Sequence, residues 1–147
     1  MKILFLDCDG VINSEANMKQ GLFNTVFPVD SYMAFLVGKI QLETDCKVVL
    51  SSSWRHHKES VDRIHKQLVP IYDITPDNPI GVYERGHEIK TWLDNSKYKI
   101  DRYAILDDDS DMLPEQFTNF FKTDWKVGLT DEIANKVIAH LNEKAPD

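Results

Sequence analysis

The chain has 147 residues and carries 17 Lys and Arg against 24 Asp and Glu, a net charge of −7. This is the length and composition of one ordinary globular domain, so residues 1–147 are read as a single unit that needs no disulfides to hold its core. No run nears the ~18 apolar residues of a membrane span, and the start, Met1 to Asp7, turns acidic too early for a secretory leader. Cys8 and Cys46 have neither the number nor the spacing of a disulfide scaffold, which predicts a reduced, cytoplasmic setting with no membrane partner.

In chain order, Lys2–Leu6 is a short apolar run, as are 47–50 and 103–106. Runs this short, rich in Val and Ile and bounded by polar residues, fit strands buried on both faces of a parallel sheet. Ile71–Ile74 and Phe120–Lys122 are weaker strand candidates. Residues 11–29 read as a long flap loop or small hairpin, and loops of that length in a compact domain are usually functional or disordered. Asp30 caps a predicted helix running to about Glu43, with Phe35, Leu36 and Ile40 taken as its apolar side. Val61, Ile64 and Leu68 mark a second helix. Ile89, Trp92 and Leu93 mark a third, opened by Gly86. Thr130 caps the last, where Asp131 and Glu132 suit the positive end of the dipole and Ile133, Val137, Ile138 and Leu141 form the buried stripe. Strands alternating with helices of this length predict an α/β, Rossmann-like, doubly wound parallel sheet. In such a sheet every strand tip points to one edge, where ligands bind.

The chemistry-bearing residues stand directly after the apolar runs 2–6, 47–50 and 103–106. They are Asp7-Cys8-Asp9-Gly10, then Ser51-Ser52-Ser53-Trp54-Arg55, then Asp107-Asp108-Asp109-Ser110-Asp111. A parallel sheet gathers all three. Acids so crowded repel by on the order of 1 kcal/mol or more per close pair, and a divalent cation relieves that. Mg²⁺ suits a site of one or two carboxylates plus phosphate oxygens. Along an extended chain Asp7 and Asp9 face one way and Cys8 the other, so one carboxylate can attack phosphorus while its neighbour transfers a proton. Gly10 allows a sharp turn. Ser51 or Ser52 can donate to a phosphate oxygen, and Arg85 or Lys90 can balance its charge.

These segments, in this order, resemble the four motifs of the haloacid-dehalogenase (HAD) superfamily of phosphatases. With Arg85-Gly86-His87-Glu88-Ile89 and Trp92-Leu93, they are similar to the small HAD domains associated with RNA-repair proteins, over most of residues 1–140. The resemblance implies Asp7 as nucleophile and metal ligand, and Asp9 as general acid/base with its carbonyl on the metal. It implies Ser51 as the phosphate-binding hydroxyl and Asp107 as an acidic ligand supported by Asp108 or Asp111. The third motif is usually Lys; Arg85 stands at the best-matching place, with Lys90 a turn later. Arg55 resembles the Arg that follows the hydroxyl motif in polynucleotide 3′-phosphatases, which implies a second contact to phosphate or nucleotide. About 40 residues separate Asp9 from Ser51 and about 55 separate Ser51 from Asp107, too few for a large cap domain, so an open site is expected.

The expected activity is a Mg²⁺-dependent phosphomonoesterase working through a phospho-Asp7 intermediate on a nucleotide or nucleic-acid terminal phosphate, with no obligate protein partner. A non-catalytic receiver-like phospho-acceptor and a metal-dependent nuclease are the alternatives. The acidic balance argues against tracking a long nucleic-acid backbone, although six of the acids sit in the two strand-end clusters. The five His are scattered without paired cysteines and read as surface or capping residues rather than zinc ligands. Asp109 is expected in solvent, and Trp54 is the tryptophan nearest the site.

Overall fold

The computed structural model describes residues 1–19, 28–78 and 85–144. In chain order the elements are β1 (Lys2–Leu6), α1 (Glu15–Lys19), α2 (Ser31–Thr44), β2 (Lys47–Leu50), α3 (Lys58–Gln67), β3 (Ile71–Ile74), α4 (Arg85–Asn95), β4 (Arg102–Asp107), β5 (Phe120–Lys122) and α5 (Asp131–Asn142), with 3₁₀ turns at Ser53–His56 and Pro114–Asn119. The strands form one parallel sheet in the order β3-β2-β1-β4-β5. The chain builds outward from β1 through β2 to β3 and then crosses to the other side of β1 for β4 and β5. The direction therefore reverses between β1 and β4, the point at which open α/β sheets form a ligand crevice.

Alternation along the strands sorts the core into two layers. Leu4, Leu6, Val48, Leu50 and Leu106 face one side, with the buried stripes of α2, α3 and α5. Ile3, Phe5, Val49 and Ile105 face the other, with Ile89 and Trp92 of α4. Phe5 meets Trp92 edge to face, with centroids 5.4 Å apart. This is the α/β, doubly wound architecture, with helices on both faces.

The helix starts obey the capping residues. Asp30 accepts from the Tyr32 and Met33 N–H groups, and Thr130 accepts from Ile133 N–H. On α2 the buried stripe is Met33, Leu36, Val37 and Ile40. Phe35 lies outside it, mostly exposed and stacked on Tyr32; at 3.6 residues per turn it cannot share a face with both Leu36 and Ile40.

The flap reading of 11–29 is corrected in its first part. Val11 and Ile12 are buried in the core, their N–H groups turned back onto Cys8 O, and α1 comes directly after. Pro28 to Asp30 returns beside this turn, with Asp30 N–H donating to Ile12 O. No hairpin forms among the described residues; the rest of that expectation, 20–27, lies outside them.

Candidate active site

Register builds the site. Leu6 pairs with Leu50 and Leu106, and Leu50 with Ile74. The next residues, Thr75, Ser51, Asp7 and Asp107, therefore form a row across the carboxyl edge at roughly 4.8 Å per strand. Backbone bonds carry the ladder through them: Thr75 N–H to Leu50 O, Ser51 N–H to Leu6 O and Asp7 N–H to Leu106 O, each about 3 Å. The row shares the face of Phe5, Val49 and Ile105, the side on which α4 lies. Cys8 faces the opposite core, fully buried, and burial with the nearby Asp7 charge pushes its thiol well up. It has no nucleophilic role in that position.

Asp7, Asp107 and Asp108 each present an oxygen within 4.8 Å of the others. Burial pushes the Asp7 carboxyl well above the usual carboxylate range; Asp107 and Asp108 add to this and Arg85 opposes it. Asp107 is pushed up to about 7, again chiefly by burial, against the lowering effects of the Asp109 N–H and Arg85. Its Oδ1 accepts that N–H, whereas its buried Oδ2 has no hydrogen bond among the described residues. Three convergent carboxylates, two of them buried and one with an oxygen that accepts no hydrogen bond among the described residues, are a hard-oxygen donor set that fits Mg²⁺.

Gly10, at φ 80°, is why the acids come so close. A Cβ there would lie 2.5 Å from Asp108 Oδ2, so only glycine lets the loop after β1 pass beside the loop after β4. Its carbonyl accepts from Thr123 Oγ1 and its N–H donates to Asn13 Oδ1. Asp9 is exposed, and its two oxygens accept from Asn13 Nδ2 (3.0 Å) and Trp54 Nε1 (3.1 Å).

The structure separates residues that are equivalent alternatives in the sequence. Ser52 Oγ accepts from Trp54 N–H and caps the 3₁₀ turn, whereas Ser51 Oγ is fully buried with no partner among the described residues. Arg85, in the first turn of α4, brings Nε to 3.4 Å from Asp107 Oδ2 and Nη2 to 3.9 Å from Asp7 Oδ1. Lys90 is not brought to the acids. Five residues along the helix is roughly 140° around it, and its ammonium is half-exposed and bonded to Asp94 at 2.7 Å. Arg55 is buried and holds Ser51 O and Ser52 O through Nη1, and Asp77 and Glu88 through Nη2. It braces the strand tip from behind. Asp111 accepts the Arg85 N–H and, through its carbonyl, the Gly86 N–H, so it caps α4 instead of joining the acid cluster. Asp109 is exposed.

Three contributors are not evident from the sequence. Glu88 is a buried carboxylate bridging the two arginines, at 3.0 Å from Arg55 and 4.0 Å from Arg85; the Arg85–Glu88 spacing of three on a helix is its signal. Asn13, which fixes both Gly10 and Asp9, and Thr75, in the row, have no signal beyond position.

A family model for the HAD domain in Swiss Army Knife RNA repair proteins matches residues 3–134. The chain belongs to that family. Comparison with curated proteins and with solved structures gives no match. Membership in the HAD family supports a hydrolase of the phosphatase type, in a family that generally uses Mg²⁺. No helix of this HAD domain, among the described residues, is long and apolar enough to cross a membrane.

Proposed function

We propose that this HAD domain is a Mg²⁺-dependent phosphomonoesterase. The observation that carries the reading is the buried pair Asp7 and Asp107, side by side at the switch point, flanked by the Arg85 guanidinium and a Ser51 hydroxyl without a partner among the described residues. Asp7, Asp107 and Asp108 would hold the cation, joined by the Asp9 carbonyl that the family resemblance assigns to it. When bound, the cation offsets carboxylate repulsion and draws phosphate charge into the site.

An Asp7 carboxylate oxygen attacks phosphorus, the ester bond to the leaving oxygen breaks, and Asp9 supplies that oxygen with a proton. Asp9 then takes a proton from the water that hydrolyses the phospho-Asp7 acyl bond, returning both residues to their starting state. Its two donors, Trp54 and Asn13, keep the carboxylate oriented while its exposure leaves it open to solvent. Ser51 Oγ–H donates to a non-bridging phosphate oxygen and Arg85 balances the remaining charge. A receiver-like module has no use for an acid held two residues beyond its acceptor, and a nuclease using bound water leaves no acyl-phosphate.

The family's description, and motif intervals too short for a large cap, support a nucleotide or nucleic-acid terminal phosphate as substrate. Two free, buried cysteines agree with a cytoplasmic setting. The test is a panel of phosphate monoesters and diesters with and without Mg²⁺. Monoester turnover in Mg²⁺, its loss in Asp7→Asn, and beryllofluoride trapped on Asp7 are the expected results. An active Asp7→Asn protein, or diester cleavage without trapping, would overturn the reading.

A further inference from the structure

Thr75 follows β3 in the same row as Ser51 and Asp7, two strands from the nucleophile and so roughly 10 Å away. Its backbone completes the ladder, yet its Oγ1 is buried with no hydrogen-bond partner among the described residues. The neighbouring Arg55 Nε is likewise buried and unpartnered among them. A buried donor left so costs roughly 1–3 kcal/mol, and Ser51 shows the same pattern where a phosphate oxygen is expected.

Beyond Thr75 opens a groove of about 760 Å³ along the outer edge of the sheet. Tyr72 and Tyr98, both exposed, form part of its wall, and Trp92, fixed by Asp73 through Nε1, forms another. Its charges nearly cancel, with Arg55 and Lys97 against Asp73 and Asp77. Such balance gives no track for a phosphate chain. Exposed aromatic faces beside polar groups instead suit a flat heterocycle, and stacking of a base on an aromatic side chain contributes about 1–3 kcal/mol.

We propose that this groove is the leaving-group subsite of the same active site. It receives one nucleoside unit, with Tyr72 and Tyr98 against the base and Thr75 Oγ1 hydrogen-bonded to the sugar or base. The inference rests on the phosphomonoesterase reading for its catalytic meaning, and Thr75 is its specificity-determining residue. The balanced charge of the groove offers no track for further phosphates, so recognition stops after the first unit.

The test has two arms. In the first, kcat/KM is compared for nucleoside monophosphates, short terminally phosphorylated oligonucleotides and glycerol 2-phosphate. A nucleoside preference of about tenfold or more is expected, with no further gain from added nucleotides. Thr75→Val and Tyr98→Ala should each cut that preference severalfold. Thr75→Val should keep its Tm, because the lost hydroxyl bonds to nothing in the described fold. A preference that survives both substitutions, or that grows with oligonucleotide length, overturns the subsite. In the second arm, adenosine binding to the full chain is followed by intrinsic fluorescence. Saturable binding weakened about tenfold in Tyr98→Ala supports the groove whatever the turnover, and no saturable binding overturns it. Turnover of glycerol 2-phosphate without nucleoside preference leaves the phosphatase standing and removes the subsite. Adenosine binding with no turnover of any monoester removes the phosphatase and keeps the groove.

Discussion

The two halves of the carboxyl edge are built from opposite chemistry on the same scaffold. At the tips of β1 and β4 the row presents buried carboxylates whose proton affinity is raised chiefly by burial, with Asp107 and Asp108 raising Asp7 further and Asp108 raising Asp107. At the tips of β2 and β3 it presents hydroxyls that bond to nothing else in the described structure. The first half is acidic and self-repelling, a donor set that fits a divalent cation; the second is neutral, with hydroxyls suited to a ligand's oxygens. Glu88 lies behind both, tying Arg85 of the acidic half to Arg55 of the hydroxyl half. A strand end is thus a position whose backbone is fixed by the ladder while its side chain is left for a ligand.

The contrast breaks most completely at the nucleophile. Asp7→Asn should lower kcat on the order of 10⁴-fold or more, while Asp9→Asn should cost about 10²–10⁴-fold, as expected for a proton-transfer group. Steady-state kinetics on a generic aryl phosphate reads both, and near-wild-type turnover in either would contradict the assignment.

Removing the brace is the next largest effect. Glu88→Gln leaves the buried Arg55 and the partly buried Arg85 short of a carboxylate, and breaking the buried Arg55–Glu88 pair costs about 3–5 kcal/mol, or roughly 6–20 °C in Tm at this size. Both halves should suffer together: KM rises and kcat falls, because Arg85 and the Ser51 tip lose a common support. A variant that affected only one parameter would show that the halves are independent.

The acidic half also sets a pH signature. Asp107 holds its proton in the folded state up to about 7, against an ordinary value of 3.8, so between those values the folded protein binds a proton that the unfolded chain has lost. The contribution of Asp107 to the stability of the metal-free protein therefore falls as pH rises from about 4 to 7. Urea midpoints across that range should show the slope, which should flatten in Asp107→Asn. Mg²⁺ at pH 7.5 should raise the Tm of the wild type by a few degrees, consistent with roughly 2–4 °C per kcal/mol.

The hydroxyl half separates two adjacent serines. Ser51→Ala should reduce kcat/KM by about tenfold with Tm unchanged or slightly higher. Ser52→Ala loses a cap worth about 1 kcal/mol and should lower Tm by a few degrees with kcat/KM within about threefold. Smallest of all, Lys90→Ala should leave kcat/KM within about twofold, since its ammonium is engaged with Asp94 on the outer face of α4.

The sheet is legible because its central strands are buried on both faces and so read as unbroken apolar runs; Lys2–Leu6 and 103–106 leave no alternative once polar clusters bound them. The acids are legible for the related reason that strand tips of a parallel sheet converge. Choices made by side-chain direction are not. Ser51 and Ser52 are equal in sequence, and only the alternation of faces and the Trp54 cap tell them apart. Arg85 and Lys90 share a helix but not a side of it. Arg55 carries a substrate-binding pattern, yet its guanidinium is occupied by the Ser51 and Ser52 carbonyls. Phe35 on α2 misleads because hydrophobicity alone does not say which face of a helix is covered.

The start of α4 is seated in the segment after β4. Asp111 takes the N–H groups of Arg85 and Gly86, Gln116 Nε2 donates back to Gly86 O, and a Cβ at Gly86 would strike Leu113 N at 2.6 Å. The start of α4, and with it the guanidinium, is therefore tied to the stretch that carries Asp107 and Asp108. Acid and counter-charge travel as one casting, and a single methyl group at Gly86 would knock them out of alignment.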